Sequence, residues 1–182
     1  MSMPTFLSTP TITTRRAALQ WAGLALAGAG LAGCGFRLRG SQTFAFQRIA
    51  IQPQPGGAVA QELRRAFGSA VQVLAANEPL TQAQLVLTVA DEVREKVVVG
   101  VNSSGQVREL QLRIRVRLQL RTAQGKDIIE GDEIVQQRDI SYSESAALAK
   151  EAEEALLYRD MQSDIVQQIL RRLAAIQAGQ LD

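Results

Sequence analysis

The 182-residue chain has no histidine and one cysteine, Cys34. Without imidazole it lacks the usual general base, the partner of a cysteine nucleophile and the commonest metal ligand. A lone cysteine also rules out an intrachain disulfide, so packing must hold the fold. No Gly-x-Ser-x-Gly elbow marks a serine hydrolase. No strongly apolar run reaches the about 20 residues that a spanning helix needs. Internal repeats and low-complexity tracts are missing too. Carboxylates do cluster, at Asp91/Glu92 and at Glu130/Asp132/Glu133, but strand alternation sends neighbours to opposite faces. Acid–base chemistry needs two carboxylates converging in one pocket. We therefore expect no catalytic residues, no metal, no cofactor and no enzymatic activity.

What is present begins with Leu31-Ala32-Gly33-Cys34. This run closes an uncharged Ala/Gly/Leu-rich stretch, Ala17 to Gly33, that follows Arg15-Arg16. A basic start, a short apolar centre and small residues before a cysteine have the form of a lipoprotein signal peptide. Residues 1–33 are then removed, with Trp21 among them, and the Cys34 thiol takes a lipid as the first mature residue. Thr14-Arg15-Arg16 also resembles a twin-arginine export signal. Each buried methylene of an acyl chain contributes about 0.8 kcal/mol, so a multiply acylated Cys34 would hold firmly. The formal charge of +2 comes from Arg15 and Arg16; beyond them the chain carries 18 charges of each sign. That balance gives no reason to expect a nucleic-acid partner.

The mature part, about 150 residues, is enough for one domain with one core. Residues 34–43 read as a tether, 44–178 as the domain and 179–182 as a C-terminal tail. Phe44 to Ile51 reads as a strand. Pro53-Gln54-Pro55-Gly56-Gly57 is a turn. Ala58 to Phe67 has Val59, Leu63, Ala66 and Phe67 at helical spacing, with Gly68 as a stop. Val71 to Leu74 is a candidate short edge strand. Along Leu85 to Val101, residues Leu85, Leu87, Val89, Val93, Val97 and Val99 share one parity. Asp91 and Glu95 interrupt them, which suggests a bulge or a passage beyond the sheet's edge. Asn102-Ser103-Ser104-Gly105 is a hairpin loop.

Val107 to Thr122 carries the strictest pattern. Leu110, Leu112, Ile114, Val116, Leu118 and Leu120 point one way; Gln111, Arg113, Arg115, Arg117, Gln119 and Arg121 point the other. Ile128 to Ser141 alternates more weakly. Ser143 to about Ala178 reads as a long helix capped by Ser143 or Ser145 and ended by Gly179. Its apolar stripe would be Leu148, Ala152, Ala155, Leu156, Met161, Ile165, Ile169, Leu173 and Ile176. These elements predict an α+β fold: a two-layer sandwich with a mostly antiparallel four-stranded sheet, a possible short edge strand, and two helices on one face.

Cys34-Gly35-Phe36-Arg37-Leu38-Arg39-Gly40, with Ala147-Leu148-Ala149-Lys150-Glu151 opening the last helix and this element order, resembles the lipopolysaccharide-assembly lipoprotein family LptE. The resemblance covers the whole mature chain. It implies an outer-membrane lipoprotein, anchored on the periplasmic side, that plugs the LptD β-barrel and assists lipopolysaccharide delivery to the cell surface. Gly35 fits this, because the aspartate that retains many lipoproteins in the inner membrane is missing there. The family's proposed lipopolysaccharide contacts are a lysine in the helix motif, matched by Lys150, and a basic residue in the loop between the second and third strands. The latter position is Ser103 here, which is not basic; Arg108, a few residues on, is the candidate substitute.

Arg113, Arg115, Arg117 and Arg121 form a stripe with spacings of about 7 Å. Such a stripe can grip phosphates and carboxylates bidentately, and Arg113, Arg115 and Arg117 are candidate lipopolysaccharide contacts. Equally, it can be a solvated strand face paired with Glu92, Glu130 or Asp132. The competing function is a generic periplasmic interaction or scaffold lipoprotein without a lipid ligand.

Overall fold

The structure, a computed structural model, describes residues 42–181. The expected signal segment, Cys34 and most of the expected tether lie outside the described residues. Five strands form one sheet: β1 (Arg48–Gln52), β2 (Gln72–Val73), β3 (Leu85–Val101), β4 (Val107–Thr122) and β5 (Asp127–Ser141). Their order is β2-β1-β3-β4-β5. β1 runs parallel to β2 and β3, whereas β3, β4 and β5 form long antiparallel ladders. The expected sandwich is thus present with a fifth strand, the two-residue edge at Gln72–Val73. Two helices, α1 (Ala58–Phe67) and α2 (Ala147–Ala174), pack on one face.

β4 is the centre of the core because its alternation is unbroken. All six of its apolar positions, Leu110 to Leu120, are at most 6% exposed. They meet Val59, Leu63 and Phe67 of α1 and Met161, Ile165, Ile169 and Leu173 of α2 in one cluster. Phe44, Phe46 and Phe67 close the end where the described chain enters, with ring centroids 5.3–6.5 Å apart.

β3 departs from the expected parity. Ala90 pairs with Arg117 but Val93 with Arg115, so β3 advances three residues while β4 advances two. The extra residue is a bulge, with Asp91 at φ 52°. One inserted residue moves every later side chain to the other face. Val93 and Val97, expected beside Leu85 in the core, therefore lie opposite Arg115 and Gln111 on the helix-free face. Val99 falls at a second irregularity, between Val98 and Gly100, and is exposed.

The bulge also caps α1. Its N-cap, Gly57, has no side chain to offer, and the Glu92 carboxylate accepts the Val59 N–H at 3.1 Å instead. An acid there also meets the favourable end of the helix dipole. A Cβ on Gly57 would collide with Glu92 Oε2. Gly57→Ala should therefore displace the carboxylate and lower stability by about 1 kcal/mol, the usual value of a lost N-cap. Denaturant unfolding measures this, and Glu92→Ala should cost a similar amount.

The last helix is shorter than its pattern suggested. A single 3-10 turn, Glu144–Ala146, precedes α2, and no serine side chain caps it; Ser143 Oγ instead lies 2.8 Å from Ser145 Oγ. The helix ends at Ala174, before Gly179, and another turn, Ala178–Gln180, follows with Leu181 packed on the core. Leu148 and Leu156, expected in the buried stripe, are 83% and 59% exposed. The sheet-facing stripe of α2 runs back from Ile165 through Met161 and Tyr158 to Glu154 and Lys150 at 3–4 spacing. Its first half therefore presents polar groups to the sheet, and the apolar ridge drifts outward.

Candidate functional site: a basic sheet face and the start of the last helix

Strand alternation places Arg113, Arg115, Arg117 and Arg121 on the face away from both helices. Cross-strand partners share a face, so Arg113 stands between Glu95 and Gln137. Arg115 stands between Val93 and Val135, and Arg117 between Ala90 and Glu133. Arg115 hydrogen-bonds to Glu95, and Arg113 Nη1 lies 3.8 Å from the same carboxylate. Arg113 also donates to Gln111 Oε1 at 2.9 Å. Arg117 pairs with Asp91 at 2.9 Å and Arg121 with Asp127 at 3.9 Å. The Nε atoms of Arg113 and Arg115 are buried without an acceptor among the described residues.

The acids expected beside the stripe do other things. Glu92 caps α1, and Asp132 pairs with Arg172 of α2. Asp91, Glu95 and Asp127 take their place because cross-strand register decides which acid faces which arginine. Around these pairs Val93, Val97, Val99 and Val135 are each 40–48% exposed. The result is a sheet face, bare among the described residues, on which guanidinium groups and valines stand side by side.

Lys150 and Arg108 both lie toward one end of the sheet, apart from the stripe. Lys150, on the first turn of α2, donates to Glu153 Oε2 at 2.8 Å and to Ser141 Oγ at 3.1 Å. Its side chain is 19% exposed. Ser141 pairs with Glu109, one residue from Arg108. Arg108 lines a cavity of about 250 Å³ with Gln106, Val107, Ser143, Glu144 and Ser145. In the adjoining loop, the Asn102 Oδ1 accepts the N–H groups of Ser104 and Gln106 at 3.1 and 2.9 Å.

Between these regions, residues not singled out from the sequence fasten α2 to the sheet. Lys96 donates to both oxygens of Glu154, at 2.7 and 3.0 Å. That hydrogen bond raises the Lys96 pKa above its ordinary value. Tyr158 donates to the Glu95 carbonyl at 2.7 Å, and burial raises its phenol pKa, which keeps the donor protonated. Arg94 lies over the Tyr158 ring, 5.4 Å from its centroid, and on the other margin Arg138 pairs with Asp164 at 2.8 Å. Polar side chains of a strand and a helix give no periodic signal that they will meet.

Among the described residues no group of His, Cys, Asp or Glu could hold a metal ion. No described helix is long and apolar enough to cross a membrane.

The fold defines the class first: an open mixed sheet with one face under two helices and the other, among the described residues, uncovered and arginine-lined. The model of the LptE family, described as lipopolysaccharide-assembly, matches residues 46–173. The solution NMR structure of an uncharacterized lipoprotein B from Nitrosomonas europaea is 33% identical, with a TM-score of 0.66 over 78% of this chain and 91% of that one. The rare lipoprotein B from Shewanella oneidensis is 20% identical, covering 71% of this chain and 95% of that one, with a TM-score of 0.59. A minor lipoprotein from Acinetobacter baumannii is 22% identical, covering 71% and 92%, with a TM-score of 0.55. These last two share the fold. No curated protein matches the chain. The chain belongs to the LptE family, whose role is lipopolysaccharide assembly.

Proposed function

We propose that the protein is a non-catalytic outer-membrane lipoprotein, attached through acyl chains on Cys34, that occupies the LptD β-barrel and assists lipopolysaccharide delivery. Arg113, Arg115, Arg117, Lys150 and Arg108 are its candidate anionic contacts. Family membership supports the assembly role. The observation that supports a direct lipopolysaccharide contact is the bare face on which Arg113 and Arg115 sit among exposed valines. Lipid A places phosphates next to acyl chains, and a surface with charge and apolar groups side by side suits it. Guanidinium groups take phosphate oxygens bidentately.

The acid partner beside each stripe arginine favours a plainer role for that face, as a solvated surface whose pairs contribute about 0–1 kcal/mol each. In that case lipopolysaccharide contact would rest on Lys150 and Arg108. The experiment that tests partnership is affinity capture of the tagged full chain from solubilised outer membranes, with mass identification. We expect one large β-barrel in near-equal amount. Capture of a soluble periplasmic protein and no barrel would overturn the barrel assignment.

A further inference from the structure

Among the described residues, Glu95 is the one acid that serves two stripe arginines, Arg113 and Arg115. We infer that Glu95 is a resident competitor, a carboxylate that fills the Arg113–Arg115 seat until the phosphate of a lipid displaces it. This rests on the proposal that the arginine face binds lipopolysaccharide, and it adds how that face is kept closed and opened.

Three observations point to exchange rather than a fixed ion pair. The side chains of Arg113, Arg115 and Glu95 are 35%, 39% and 29% exposed, so solvent and ligand reach them. Pairs this exposed are weak and easily replaced. The seat is also incompletely used. Each guanidinium has five N–H donors, yet Arg113 Nη1 is beyond hydrogen-bond distance of Glu95, and both Nε donors lack an acceptor among the described residues. A phosphate monoester brings more negative charge than a carboxylate and three strong acceptor oxygens. Finally, Val93 and Val135 stand on either side of Arg115, with Val97 beyond them on the same face. Free phosphate has no use for valines; a phosphate carrying acyl chains does.

Glu95 can be altered without loosening α2, because Tyr158 holds its backbone carbonyl and not its side chain. The test is titration of the full chain, purified in detergent, with lipid A in mixed micelles. Dephosphorylated lipid A and inorganic phosphate are the comparison ligands. Glu95→Gln should tighten lipid A binding about tenfold, the value of one removed competing charge. Adding Arg115→Gln should abolish that gain. Dephosphorylated lipid A should show no gain, and inorganic phosphate should compete only weakly.

If a folded Glu95→Gln protein, checked by thermal unfolding, binds no more tightly while Arg115→Gln alone weakens binding, the competitor role falls and the lipopolysaccharide site stands. If Arg115→Gln alone changes nothing, the site itself falls. Inorganic phosphate competing as well as lipid A would overturn the lipid assignment.

Discussion

Replacing Arg113, Arg115 and Arg117 together with glutamate should weaken lipopolysaccharide binding by about a hundredfold. Hydrogen bonds to charged groups contribute about 1.5–3 kcal/mol each. These arginines are more than a third exposed, so screening reduces their contribution to about 1 kcal/mol each. Three together give about 3 kcal/mol, or roughly a hundredfold. The reversal also sets new carboxylates beside Asp91 and Glu95. Circular dichroism and thermal unfolding must therefore accompany the titration, with the triple glutamine variant as the milder control. Unchanged affinity in a folded variant would reject these residues as contacts and leave Lys150 and Arg108 as the basic candidates. Binding should also fall with added salt, as exposed charge pairs do.

Met161→Ala should unfold the protein more easily by about 3 kcal/mol, the middle of the range for emptying a buried methionine site. For a domain of this size that corresponds to a melting temperature lower by roughly 10 °C. Met161 is fully buried and sits where the outward-drifting ridge of α2 returns to the sheet. Leu148→Ala, on the first turn of the same helix, should change stability by no more than about 0.5 kcal/mol, because Leu148 is 83% exposed. Calorimetry on the two variants separates the halves of the helix. Equal losses would mean that both halves support the core.

That contrast shows what could be read from residues alone. β4 was legible in full, since strict alternation leaves one way to bury Leu110 to Leu120. The bulge in β3 was signalled by Asp91 and Glu95. Its consequence was not, because parity counting assumes a constant register and the extra residue at Asp91 reverses it. Val93 and Val97 therefore stand beside arginines rather than leucines. α2 misled for a related reason: Leu148 and Leu156 are the apolar choices in its first half, yet the sheet-facing positions hold Lys150, Glu154 and Tyr158. Only tertiary contact, Lys96 with Glu154 and the Glu95 carbonyl with Tyr158, makes polar residues correct there. The acid partners of the stripe were hidden too, because pairing across strands is settled by the fold.

The β3–β4 hairpin gives the domain a long axis. β1 runs parallel to β3, so the described chain enters beside Leu85, and the Asn102–Gly105 loop lies at the far end of β3. A strand of this length spans roughly 50 Å, against a hydrocarbon layer of about 30 Å. Seven residues separate Cys34 from Gln42, a reach of at most about 30 Å, so the proposed acylation would tether the domain from its Leu85 end. The opposite end, with Arg108 and Lys150, then lies farther from the Leu85 end than that layer is thick, with the arginines of β4 between.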